Sequence, residues 1–148
     1  MPEFAASAHD PACIFCKIVQ GQIPSARVYE DDLTLAFMDV GPVRPGHVLV
    51  ATRRHAASLF DLTKEEAAAV MVTAQRVAAS VRETFAAPGL TLLQANGKEG
   101  WQTVFHFHLH VVPRHADDGI GLVWPRKEPG MEVLREQAQK LAQQVARS

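Results

Sequence analysis

Two periodicities divide the chain. Ile14, Phe15, Ile18 and Val19 recur at helical steps up to Gly21, and Pro24 bars continuation, so a helix of about two turns is predicted. Arg27 to Glu30 and Leu33 to Asp39 are rich in apolar and aromatic residues. The acidic pair Asp31-Asp32 separates them, which reads as a hairpin. After breaks at Gly41-Pro42 and Pro45-Gly46, His47-Val48-Leu49-Val50-Ala51 forms a third strand whose nearly continuous apolar run predicts burial on both faces. Thr63-Lys64-Glu65-Glu66 matches a capping box, and Ala67, Val70, Met71, Ala74, Val77, Ala78 and Val81 follow it at three- and four-residue steps until Pro88-Gly89. That stripe reads as core packing. Leu90 to Leu93 and Thr103 to Val112 are the remaining strands, joined by the Gly-rich polar loop Asn96 to Trp101. A last helix runs from Met131 to Arg147, with Leu134, Ala138, Leu141 and Val145 along one side. Hairpins, then a long helix, then more strands predict an α+β layer sandwich rather than alternating βαβ units.

Composition bounds the function. The 148 residues suit one domain, expected over 12–148 behind a flexible leader of small and polar residues, 1–11. Apolar residues are 47% and charged ones 21%, an ordinary globular balance. Net charge is -1 and no Lys/Arg run exceeds a pair such as Arg53-Arg54, so nucleic acid is not an expected partner. No stretch approaches the roughly 20 apolar residues of a membrane span, and Met1 to Phe4 lack a signal-peptide pattern, so a cytoplasmic protein with no membrane partner is expected.

The two cysteines, Cys13 and Cys16, have a C-x-x-C spacing that suits a metal knuckle or a redox pair. A thioredoxin-like pair follows a strand and opens a helix, whereas here Pro11 precedes and Ile14-Phe15 intervene.

Three of the 7 histidines fall within five residues, His106-Phe107-His108-Leu109-His110. On a strand the three imidazoles share one face, roughly 6 to 7 Å apart, with Phe107, Leu109 and Val111 on the other. Such a row suits metal ligation, nucleophilic attack by an imidazole nitrogen, or a plain histidine ladder. Just upstream, Asn96, Gly97, Gly100, Gln102 and Thr103 offer amides and neutral polar groups of the kind that hold phosphoryl oxygens, which favours phosphorus chemistry.

The run Asn96 to Arg114 resembles the signature of the histidine triad (HIT) family of nucleotide hydrolases and transferases. The similarity extends through Cys13 to Ile18, Leu35 to Val40, Gly46 to Val50 and Arg54-His55. It implies an antiparallel sheet with a long helix packed on it, completed as a two-fold homodimer, and an enzyme that cleaves nucleoside phosphoramidates or dinucleoside polyphosphates at the α-phosphorus. In that scheme His108 is the nucleophile, His110 bonds the phosphate or assists the leaving group, and His47 supports them. A purine nucleotide is the implied substrate, with Asp39 gripping the ribose. Phe15, Ile18, Phe37 and Val40 would line the base pocket, and Asn96, Gln102 and Thr103 the phosphate side. By residue type alone Ile18, Phe37 and Val40 read equally as core, and Asp39 as a turn former. A zinc-containing, bacterial-type branch of the family implies a structural zinc on Cys13, Cys16, His55 and His106. Two thiolates and two imidazoles are a closed tetrahedral set. Trp101 departs from the pattern, standing where many relatives carry a small residue, and the loop from Asn96 to Gln102 is a residue shorter than in some.

Overall fold

The computed structural model describes residues 9–148; most of the expected leader, residues 1–8, lies outside the described residues. By its backbone contacts the chain divides into two compact units, one up to Asp118 and one from Gly119 to Ser148.

The first unit is the predicted α+β arrangement. Strands β1 (Arg27–Glu30), β2 (Thr34–Met38), β3 (Val48–Thr52), β4 (Gly89–Gln94) and β5 (His108–Arg114) make one antiparallel sheet in the order β1-β2-β3-β5-β4. Helices α1 (Ile14–Val19) and α2 (Lys64–Thr84) pack with opposite sets of strand residues. Strand side chains alternate. Ala36, Val48, Val50, Leu109 and Val111 therefore join Val70, Ala74, Val77 and Val81 of α2 in one core, while Leu35, Phe37, Leu49 and Ala51 join Phe15, Ile18 and Val19 of α1 in the other. Every residue of β3 is buried, as its continuous apolar run requires.

Local chemistry fixes the ends. Thr63 Oγ1 accepts the Glu66 amide at 3.1 Å and Glu66 Oε1 accepts the Thr63 amide at 3.0 Å, so the capping box starts α2 as read. Glu66 also receives Arg54 Nη2 at 2.7 Å, which ties the helix start to the segment leaving β3. In the hairpin, Asp31 Oδ1 accepts the amides of Leu33 and Thr34 at 3.0 and 2.8 Å.

The last strand differs from its expected bounds. It begins at His108 rather than Thr103 and runs on to Arg114. The cause is a competing set of bonds: the Phe107 amide donates to the Ala56 carbonyl at 2.7 Å, and buried Gln102 donates to the carbonyls of Ala57 and Val104. Residues 102–107 are thereby held on the segment after β3, off the ladder.

In the second unit, α3 (Met131–Val145) follows Gly130, which adopts a left-handed φ of 84°. None of its residues is buried, and Leu134, Leu141 and Val145 are exposed. Among the described residues no helix is long and apolar enough to cross a membrane.

Candidate functional site

The sheet face that carries α1 also carries the histidines. Leu109 and Val111 point towards α2, so His108 and His110 of β5 point the other way, and His47 stands just before β3, whose Leu49 pairs with His110. His106 precedes β5 and its ring is fully buried, so the row is not the solvated ladder that residue type alone allows.

Hydrogen bonds assign the ring nitrogens. His106 Nε2 donates to the Thr52 carbonyl at 2.7 Å, which leaves Nδ1 with its lone pair. That nitrogen lies 3.4 Å from Cys13 Sγ and 3.5 Å from Cys16 Sγ, while His55 Nδ1 lies 3.4 Å from Cys16 Sγ. A tetrahedral zinc with ordinary Zn–S and Zn–N bonds separates its ligands by ~3.5 Å. The one candidate ligand atom from each of the four residues lies within 4.8 Å of the others, so this donor set fits such an ion. Burial pushes His106 down to about 4, leaving a neutral imidazole at pH 7, as a ligand must be. Burial likewise pushes the Cys16 thiol up to about 11, and a divalent cation is the kind of partner that draws off such a proton.

His108 uses the backbone of its neighbour. Its Nδ1 donates to the His106 carbonyl at 2.7 Å, so Nε2 keeps its lone pair. The ring is 8% exposed, and burial holds its pKa below the usual value. Phe15 meets it edge-on at 5.0 Å and meets Phe37 likewise at 5.3 Å. His108 and His110 line a cavity of about 300 Å³ together with Phe15, Ile18, Phe37, Asp39, Val40 and Thr103.

On the far side of His108, His110 Nδ1 lies 2.8 Å from His47 Nε2, and Asp39 Oδ2 lies 3.4 Å from the same His47 nitrogen. Burial brings His110 to about 4. It also lowers His47, against the pull of Asp39. Asp39 Oδ1 accepts the Gly41 amide at 2.8 Å, so the turn-forming and site-facing roles fall to different oxygens of one carboxylate.

Val40 lines the cavity and is 98% exposed. Asn96 and Gln102 do not line it. Asn96 Oδ1 accepts the Leu59 amide at 2.7 Å and its Nδ2 donates to Gln94 at 2.6 Å, while Gln102 Oε1 accepts the Gly97 amide at 2.8 Å. Both are engaged in shaping the loop. Trp101 is 69% exposed and takes a φ of 74°, a left-handed conformation that costs a bulky residue about 1 kcal/mol or more. The cavity is also lined by Ile14, Ile23, Pro24, Ser25, Leu49 and Val104, residues to which the sequence pattern assigns no site role.

A model of the HIT domain matches residues 20–117. The chain belongs to the HIT family. The crystal structure of a HIT family protein from Bacillus anthracis is similar with a TM-score of 0.87 at 41% identity, covering 90% of this chain and 97% of that one. Adenosine 5'-monophosphoramidase hnt1 of Schizosaccharomyces pombe is 32% identical over 135 residues, 90% of this chain and 98% of that protein. A Zn-bound histidine triad family protein from Mycobacterium smegmatis is similar with a TM-score of 0.71 at 37% identity, covering 93% of this chain and 98% of that one. The HIT match takes in all five strands and the whole histidine row but begins after α1. The cysteine pair therefore lies outside the matched residues and stands on its own geometry.

Proposed function

We propose that this HIT protein hydrolyses nucleoside phosphoramidates or dinucleoside polyphosphates at the α-phosphorus through a covalent nucleotidyl-His108 intermediate. The observation that carries the reading is the 2.7 Å bond from His108 Nδ1 to the His106 carbonyl, which leaves an unprotonated Nε2 beside a cavity lined by aromatic side chains and one carboxylate. In the first step the Nε2 lone pair forms an N–P bond as the bond to the leaving group breaks. The electron pair departs with the leaving group, which gains a proton from solvent. In the second step water attacks phosphorus and gives up a proton to solvent, the N–P electrons return to His108, and a nucleoside monophosphate leaves. Phe15, Ile18, Phe37 and Val40 then receive a purine base, Asp39 the ribose, and Thr103 the phosphate side. Asn96 and Gln102 act by holding the loop. The similarity to the S. pombe monophosphoramidase supports an adenosine phosphoramidate as first substrate to try.

Cys13, Cys16, His55 and His106 would hold a structural zinc whose four protein ligands leave no open position for a catalytic water. The zinc would pin α1 beside β5. We also read the protein as a cytoplasmic homodimer: β4 is an edge strand, and its Leu92 and Leu93, with Met71 and Val72 of α2, leave apolar surface exposed. Light scattering checks that state.

The deciding experiment is an alkaline quench during turnover followed by peptide mass spectrometry. A nucleoside monophosphate adduct on His108 is expected, because a phosphorus–imidazole bond survives base. Turnover with no adduct, together with near wild-type activity in His108→Ala, would refute the reading.

A further inference from the structure

We propose that the main-chain amide of Val43 fixes the polarity of the His47–His110 hydrogen bond, so that His110 presents an Nε2–H to the reacting phosphoryl group. This makes His47 and the Val43 amide positioning groups, and it rests on the reading that His108 attacks phosphorus in this cavity.

The Val43 amide donates to His47 Nδ1 at 3.2 Å, so that nitrogen is an acceptor and carries no hydrogen. A neutral imidazole has one N–H, which His47 must therefore hold on Nε2. His47 Nε2 lies 2.8 Å from His110 Nδ1, a contact that takes one hydrogen and not two. The hydrogen belongs to His47, so His110 Nδ1 accepts and the single N–H of His110 is on Nε2. His110 lines the cavity beside His108, and Nε2 is the nitrogen left to meet a ligand there. Burial keeps both rings neutral near pH 7, the condition on which the count depends.

The consequence is chemical. A neutral His110 is too weak an acid to surrender its proton at the start of the reaction, but a fixed N–H aimed at a phosphoryl or bridging atom stabilises negative charge as it develops. Asp39 Oδ2 lies 3.4 Å from His47 Nε2 and 4.0 Å from His110 Nδ1, so the carboxylate is nearer the nitrogen read as the donor. The polarity originates in a backbone group of the loop between β2 and β3, where no side chain advertises it.

Long-range ¹⁵N–¹H NMR of the histidine rings at neutral pH tests the assignment without any substrate. The expected spectrum has a bare Nδ1 and a protonated Nε2 on both His47 and His110. A protonated Nδ1 on either ring would overturn the proposal, whether or not the protein turns over a phosphoramidate. Kinetics supply the second arm. His47→Gln keeps an N–H donor within reach of His110 and should hold kcat within about tenfold, whereas His47→Glu offers only acceptors and should lower kcat about 10²-fold with little change in KM. Equal losses in the two variants would contradict it. Should neither variant fold, the ring spectrum of the wild-type protein decides.

Discussion

Two groups of potential metal ligands flank His108, one of four residues with two thiols and one of three with a carboxylate, and both are closely clustered. Cys13, Cys16, His55 and His106 on one side, and Asp39, His47 and His110 on the other, each bring their ligand atoms within 4.8 Å of one another. The second group even has contacts of 2.8, 3.4 and 4.0 Å, close to the spacing around a tetrahedral ion. What separates them is where the hydrogens lie. His106 donates outward to the Thr52 carbonyl, which aims a lone pair at the thiols, whereas His47 accepts from the Val43 amide, which aims an N–H at its neighbour. A lone pair binds a cation, and an N–H repels it. Distance alone would allow two metal sites, while the proposed placement of hydrogens leaves one candidate metal site and one donor pair.

Removing single rings from the row should separate the two groups most strongly. His108→Ala should lower kcat/KM by roughly 10³-fold or more with the fold and metal content unchanged, because the ring faces the cavity and, on the proposed mechanism, supplies the attacking nitrogen. His106→Ala should act in the opposite sense. The backbone carbonyl that orients His108 survives the substitution, so the damage should fall on metal content and melting temperature. Steady-state kinetics, metal analysis and calorimetry on the pair check this. A His106 variant that keeps its metal would dissolve the distinction.

Next in size is the loss of a thiolate. Cys16→Ser removes a 1%-exposed side chain placed near both His55 and His106. Metal content should drop from one ion per chain towards none, and stability by about 3 kcal/mol, roughly 10 °C for a chain of this size. Titrating the wild-type protein with zinc should give one tight equivalent. A second tight equivalent that is lost in Asp39→Asn would show that the donor pair is a metal site after all.

Much of this was legible in the sequence, for a physical reason. The capping box at Thr63, the alternation around Phe107, Leu109 and Val111, and Val70, Ala74, Val77 and Val81 of the α2 stripe are local patterns that appear where the spacing puts them, whereas Ala67 and Met71 of that stripe are exposed. The first turn of the expected last strand is different, because the Phe107 amide is claimed by Ala56, a partner 51 positions away that no window could see. Asn96 and Gln102 look like phosphate contacts by type, yet long-range bonds to Leu59 and Ala57 turn them to the loop itself. The Val43 amide left no trace in the pattern, since a backbone donor is the same at every non-proline residue. Side-chain chemistry was readable, and the assignment of hydrogens to nitrogens required the fold.

The smallest expected effect is in acid, where the two groups should respond differently. Burial places His110 at about 4 in the folded chain against an ordinary value of 6.5, and it lowers His47 as well. Between those limits the unfolded chain binds protons that the folded chain refuses. The stability contributed by the neutral pair is therefore complete above about pH 6.5 and is lost progressively as the pH falls towards 4. Activity should follow the folded state: any break in kcat/KM from the cavity histidines should fall below the ordinary 6.5, once the ionisation of the substrate is allowed for. Zinc should escape in the same acid range, because protons compete for thiolates and imidazoles, but its loss should register first in metal content and melting temperature. A break in kcat/KM near 6.5 with zinc still bound would mean that one of the cavity histidines titrates as if exposed. The neutral, one-hydrogen-per-ring count behind the donor pair would then fail, while the metal site on the other side of His108 would stand.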